Sequence, residues 1–324
     1  MKRIALLSIF FAAIAASAQT NVDIREWTVP WEDTRPRDPA VDRDGNVWFV
    51  GQTGHYIAKL DPASGKFQRF ALDQGTGPHN LIVGADGAIW FAGNLKGYIG
   101  RMDPATGAIR KFPMPDSAAG DPHTLVLASN GDIWFTVQSG SFVGRLAPKS
   151  GKVRLVKVPT PGSRPYGIIL DATGRPWFNE FGRNALGTID PSTMKLEEHL
   201  LPEGARGRRI ALGRDGGIWY VDYARGRLAR FDPKTRKVDE WLTPYGKGSL
   251  PYAMSTDDRG RMWLVETGPQ PNRLVGFDPA SKTFFAMGNV PSGGSTVRHM
   301  VFDAKKRELW FGTDANTIAR AKVP

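Results

Sequence analysis

Seven positions, each eleven residues ahead of a recurrent tryptophan, hold Arg37, His79, His123, Tyr166, Arg208, Tyr252 and His299. Seven more, each three residues after that tryptophan, hold Gly51, Gly93, Val137, Glu180, Asp222, Glu266 and Thr313. The first set takes three of the chain's five histidines and is otherwise Tyr and Arg; the second has carboxylates in three consecutive repeats. Imidazoles and phenols can move protons, guanidiniums bind anions, and grouped carboxylates supply hard oxygen ligands for Mg²⁺, with Ca²⁺ as the alternative. His299, His123, His79 and Tyr252 are therefore candidate catalytic groups. Arg37, Tyr166 and Arg208 are candidate ligand-binding groups, and Glu266, Glu180 and Asp222 candidate metal ligands. Solvation alone would make such positions polar, but it does not explain why the first set lacks Lys, Ser and Asn. That absence favours a functional ring.

What must position these residues is the repeat itself. Trp48, Trp90, Trp134, Trp177, Trp219, Trp263 and Trp310 are separated by 42, 44, 43, 42, 44 and 47 residues. Turns such as Asp44-Gly45, Asp86-Gly87, Asn130-Gly131 and Asp215-Gly216 precede the tryptophans. A period of this length built from short strands predicts a seven-bladed, all-β propeller with four-stranded blades. In the repeat from Pro78 to Pro115, strands are expected at 79–83, 88–93, 98–102 and 108–112, with Asp103-Pro104-Ala105-Thr106-Gly107 turning between the last two. The tryptophans read as core, wedged between neighbouring sheets. In each inner hairpin the two candidate positions lie at equal distance from the turn, which places both at the mouth of the central channel. Blade order then sets Glu180, Asp222 and Glu266 in one sector, facing His79, His123 and His299.

The ends complete the ring. After Trp310 only one further strand fits, Thr317 to Val323, while Ile24 to Val29 resembles the outer strands of other repeats. The N-terminal segment is expected to supply the missing fourth strand of the last blade, leaving no free edge. Before it, Met1-Lys2-Arg3, an apolar run to Ala16 and Ala16-Ser17-Ala18 read as a signal peptide over residues 1–18, with the propeller occupying 19–324. The run is shorter than the roughly 20 residues needed to span a bilayer, so export to the periplasm or medium is expected, without a membrane span. The absence of Cys excludes disulfides and thiolate metal sites. The net charge of +11 attracts anions. Most of it reads as scattered surface charge, with Arg206-Gly207-Arg208-Arg209 as one local cluster. Nucleic acid is not an expected partner; the chain reads as a monomer that takes a small-molecule or cyclic peptide ligand. His199, in an outer strand, reads as a surface residue, and His55 also lies outside the ring.

No Gly-rich phosphate loop, H-E-x-x-H or G-x-S-x-G occurs. The phrase Pro78-His79-Asn80-Leu81, Asp86-Gly87-Ala88-Ile89-Trp90-Phe91, Ile99-Gly100-Arg101-Met102-Asp103-Pro104 resembles the virginiamycin B lyase (streptogramin B lyase) family across the mature chain. The resemblance implies metal-assisted elimination opening a cyclic depsipeptide at its ester, with a His base and carboxylate-held Mg²⁺ in the last two blades. His299 matches the last-blade His, but Arg298 replaces the preceding Pro, and Val297 and Thr313 replace the two Glu. In the blade before, Tyr252 replaces His and Glu266 stands three after Trp263. Asp121-Pro122-His123 resembles the acid-Pro-His element in another blade. Three functions follow: a C–O lyase on a cyclic ester, a gluconolactonase-like lactone hydrolase, or a non-catalytic propeller that binds an anionic ligand or a protein through Arg37, Arg208 and the histidines.

Overall fold

The computed structural model describes residues 20–324, so the leader and its cleavage position lie outside the described residues. Seven antiparallel sheets follow one another around an axis, six with four strands and one with five. The inner strands of blades 1 to 7 begin at Pro36, Leu81, Pro122, Pro165, Gly207, Pro251 and Val297. Among the described residues the only helices are three short 3-10 turns, and none is long and apolar enough to cross a membrane.

Alternation of side chains puts the blade tryptophans between sheets, all of them buried, and three of their indoles donate to an inner-turn aspartate. These bonds are Trp48 to Asp42 at 2.9 Å, Trp177 to Asp171 at 3.0 Å and Trp263 to Asp257 at 3.0 Å. The glycine of the Ile-Gly-Arg phrase has a steric reason. A Cβ on Gly100, Gly144 or Gly187 would fall within 2.2 Å of the ring of Phe91, Phe135 or Phe178. Outer-strand aromatics stack on several tryptophans, as Phe70 does on Trp48 and Trp241 on Trp219. In blade 4 that position is His199, which lies 5.2 Å from Trp177 and is buried. The surface reading of His199 is thus corrected: it takes the outer-strand position that holds Phe70, Phe112 and Trp241 in other blades, and the imidazole packs as a flat ring.

The ring closes as the terminal segments predict. Ile24–Thr28 pairs antiparallel with Thr317–Lys322, with Ile24 opposite Ala321 and Thr28 opposite Thr317. Trp27 stacks on Trp310 at 5.4 Å, and Glu26 accepts from the Ser292 backbone N at 2.6 Å, which ties blade 7 to blade 6. A two-residue strand, Thr20–Asn21, adds in parallel to Thr283–Asn289 and makes blade 6 five-stranded. Deleting residues 19–30 should strip the outer strand of blade 7 and expose its edge. The expected outcome is a melting temperature lower by roughly 10 °C or more, or loss of cooperative unfolding; an unchanged melting curve would exclude this closure.

Candidate functional site

Each inner hairpin outside blade 2 carries a bulge near its start, where the register slips by one residue. In blade 3 the slip lies between Pro122 and Leu125, so His123 and Thr124 together oppose Thr136. A bulge of this kind presents two successive side chains at the axis. The first layer is Arg37, His79, His123, Tyr166, Arg208 and Tyr252. The second begins with Asp38, Asn80, Thr124 and Arg209, all buried.

Blade 7 departs from the count. Trp310 pairs with Val301, nine residues back, whereas Trp134 pairs with Val126, eight back. The turn, Ala304-Lys305-Lys306-Arg307, is one residue longer than in the other blades. Arg298 therefore occupies the first layer, and His299 moves to the second. Spacing to the tryptophan could not show this, although the missing Asp-Gly turn and the 47-residue gap are its trace in the sequence.

The second layer is joined by one ion-pair network across the axis. Asp38 accepts from Arg37 Nε at 2.9 Å, from Arg209 Nη2 at 3.1 Å and from Asn80 Nδ2 at 3.1 Å. Arg209 also donates to the Arg298 carbonyl at 2.9 Å and to Thr124 Oγ1 at 3.2 Å. Asp38 is buried, but the Arg37 and Arg209 guanidiniums outweigh that burial and hold its carboxyl far below the usual range. Sequence reasoning missed Asp38, Arg209 and Arg298 as site residues, although each immediately follows or precedes a ring residue that it did single out.

In the first layer the His79 and His123 rings lie 3.6 Å apart and Tyr166 lies 4.3 Å from His123. The Tyr166 and Tyr252 hydroxyls are hydrogen-bonded to each other. Half-buried Arg208 is surrounded by the faces of Tyr223, Tyr252, Phe181 and Tyr166, with its guanidinium carbon 3.9, 4.2, 4.3 and 5.8 Å from their centroids. Burial, and then the nearby arginines, pushes all three imidazoles toward the neutral form, His299 to about 3 and His79 and His123 well below the usual value. For His123 the neighbouring His79 adds to this. Burial drives Tyr166 up, and its neighbour Tyr252 adds to that. For Tyr252 burial also opposes ionisation, but Arg208, Arg37, Arg209 and Arg298 prevail and bring the phenol below its usual range.

The carboxylates lie elsewhere. Asp222 is bound to Arg225 Nε at 2.6 Å and to the Arg206 backbone N at 3.0 Å. Glu266 takes two bonds from Arg273, at 3.1 and 2.7 Å, and one from the Tyr245 backbone N at 2.8 Å. Glu180 is buried without a hydrogen-bond partner; burial first, then Glu198, raises it to about 8. The contacts of each acid are thus with its own blade's loops and outer strands, and none is with a histidine. For Asp222 and Glu266 the reason is electrostatic: a loop arginine, Arg225, and a third-strand arginine, Arg273, pair with them directly. Among the described residues no group of three or more His, Cys, Asp or Glu could hold a metal ion. Two arginine-bound acids and one that holds its proton near neutrality, in three separate blades, do not fit a single Mg²⁺ or Ca²⁺.

The model of the virginiamycin B lyase family matches residues 11–268, and the chain belongs to that family. A streptogramin B lyase structure superposes with a TM-score of 0.84 at 26% identity, covering 94% of this chain and 98% of that one. Virginiamycin B lyase from Staphylococcus aureus superposes with a TM-score of 0.84 at 24% identity, covering 94% and 100%. A catalytically inactive variant of that enzyme with quinupristin gives the same values. No curated protein matches the chain.

Two measurements check the electrostatics. Asp38→Asn keeps the shape and removes the charge, leaving Arg37 and Arg209 buried without it; a loss of about 3–5 kcal/mol in urea unfolding is expected. A loss under 1 kcal/mol would show that the network is not an anchor. Glu180 has a folded value of about 8 against 4.5 for the free side chain, so the folded state holds the extra proton between them. Stability should therefore fall as pH rises from about 4.5 to about 8. Glu180→Gln should remove that fall and stabilise the protein at pH 9 by on the order of 2–4 kcal/mol. Parallel wild-type and variant stability–pH curves would refute the assignment.

Proposed function

We propose that this member of the virginiamycin B lyase family binds an anionic small molecule at the mouth of its propeller channel, with Arg37, Arg208 and Arg298 as the binding groups. One observation carries the reading. Arg37 Nη2, Arg208 Nε, His79 Nδ1 and His299 Nδ1 are all buried without a hydrogen-bond partner, and they belong to residues of the two layers around one axis. Buried donors in a folded protein are normally paired, so four unpaired nitrogens at one place mark a position for oxygen atoms of a ligand or of ordered water. Charge selects the ligand. Arg37, Arg208, Arg209 and Arg298 face Asp38 and the Arg298 partner Asp314, and among the described residues no carboxylate pairs with Arg208. The surplus is positive, and a carboxylate or another oxyanion would balance it.

A second reading is elimination at a cyclic ester. Family membership and the three neutral imidazoles, each able to accept a proton, favour it. Under this reading Tyr252 stands where the resemblance puts a histidine, and the blade-7 register puts Arg298 in the first layer and His299, the residue that matches the other histidine, in the second, so proton transfer would fall to His79, His123, His299 or Tyr252. The leader motif supports a periplasmic or secreted location for either activity.

Calorimetric titration with citrate, galacturonate, sulfate and phosphate tests the first reading. At least one carboxylate is expected to bind, with affinity falling as salt is raised. Arg208→Gln should weaken binding roughly 10- to 100-fold without changing the melting temperature by more than a degree or two. If none of the four anions binds, the reading is wrong. Quinupristin incubated with and without added Mg²⁺ tests the second reading by the appearance of the linear product; an intact ring under both conditions removes it.

A further inference from the structure

We propose that the tyrosine pair at the channel mouth makes this anion site a lyase for uronate-containing glycans, with Tyr252 as the base that removes the proton next to the bound carboxylate. The inference rests on the anionic-ligand reading and adds chemistry to it. It begins from a juxtaposition that binding alone does not need: two tyrosine hydroxyls hydrogen-bonded to each other, with guanidiniums from blades 5 and 7 beside the Tyr252 ring. The Arg208 carbon lies 4.2 Å from the Tyr252 ring centroid and that of Arg298 lies 5.8 Å away. Arg209 lies 5.4 Å from the Tyr166 ring.

The groups facing Tyr252 are Arg37 of blade 1, Tyr166 of blade 4, Arg208, Arg209 and Tyr223 of blade 5, and Arg298 of blade 7. No carboxylate is among them; Asp38 and Asp314 lie behind the arginines. The field therefore favours the phenolate of Tyr252, and Tyr166, which keeps its proton, donates to it. A phenolate held this way is a base at a pH where free tyrosine is not.

The substrate class follows from what such a base needs. The carbon it deprotonates must be acidified by a neighbouring carboxylate, and that carboxylate must be neutralised as charge develops on it, which is the task of the free guanidinium. The group lost must be an oxygen on the adjacent carbon. A 4-linked uronate residue has all three: a ring C–H beside its carboxylate, and the glycosidic oxygen one carbon away. Phe181 and Tyr223, which flank Arg208, offer flat faces for the apolar side of a sugar ring.

Arg208 is the part that moves. It is half-buried, is held only by aromatic faces, and covers the Tyr252 ring. Drawn onto the substrate carboxylate, it uncovers the shared hydroxyls. The Tyr252 oxygen then takes the proton. The C–H electron pair becomes the new C=C bond as the C–O bond breaks with its electrons on the glycosidic oxygen. Tyr252 returns its proton to that oxygen, which restores the phenolate. The products are an unsaturated uronate and a free hydroxyl, and the step needs no oxidant or reductant.

The test uses tri-galacturonate and tri-mannuronate with the mature protein in the presence of EDTA. Product is read by the ultraviolet absorbance of the conjugated C=C, and binding is read separately by calorimetry. The expected result is absorbance growth with at least one trimer, rising with pH along a transition below the usual tyrosine value. Tyr252→Phe should lower the rate by 1000-fold or more while binding stays within threefold. Ultraviolet difference titration of the wild type should show one phenolate forming below the usual range, and this reading holds even if Tyr252→Phe does not fold. A trimer that binds but is not cleaved, activity that persists in Tyr252→Phe, loss of activity with EDTA, or no early phenolate would overturn the elimination and leave the anion reading standing. Failure of both trimers and of all four simple anions to bind would overturn both.

Discussion

A buried aspartate sits where seven sheets meet, and the channel's chemistry depends on it. Asp38 has a left-handed backbone, φ 48°, and its carboxylate receives two guanidiniums from blades 1 and 5 and an amide from blade 2. Burying a charge costs several kcal/mol unless it is paired and hydrogen-bonded, and here each guanidinium supplies both while the amide adds a further hydrogen bond. Through Arg209 the same carboxylate reaches the backbone of blade 7 and the Thr124 hydroxyl of blade 3. A propeller otherwise holds its blades together by contacts between neighbours. This network crosses the middle, so inner strands distant in sequence are set relative to one another.

The network also fixes the sign of the local field. One carboxylate cannot neutralise two arginines, and Arg208 and Arg298 add to the excess. Imidazoles placed in that field stay neutral, and one phenol, Tyr252, ionises below its usual range. The relatives share the scaffold, but the scaffold does not carry the chemistry. Where the family resemblance expects a histidine and two glutamates, this chain has Tyr252, Val297 and Thr313, and the longer blade-7 turn brings Arg298 rather than His299 into the first layer.

Much of this architecture is legible in the sequence, because it depends on periodic features. Tryptophan spacing, turn residues and the likeness of Ile24–Val29 to outer strands determine blade count and closure, since each follows from a local rule repeated seven times. The site is less legible for three physical reasons. A bulge presents two residues where a regular strand presents one, so Asp38 and Arg209 are hidden beside the residues that spacing selects. One longer turn in blade 7 exchanges Arg298 for His299. The third reason is competition: Glu180, Asp222 and Glu266 stand at equivalent strand positions, but whether such a side chain turns to the axis depends on arginines elsewhere in its blade. His199 shows the same limit, since an imidazole in an exposed-looking strand becomes a stacking partner for Trp177.

The joining of Ile24–Thr28 to Thr317–Lys322 has a consequence for how the molecule comes into being. The strand that emerges from the ribosome early has its main partner at the far end of the chain, almost 300 residues later. Blades 1 to 6 can each form hairpin by hairpin as they are synthesised, but blade 7 cannot be completed until Thr317–Lys322 has been made. Until then the growing chain is an open arc with two unpaired edges and a half-built channel, in which Asp38 has met Asn80 but Arg298 has not yet arrived. Ring closure therefore acts as a completeness check: a chain that stops early keeps its adhesive edges and never assembles the site.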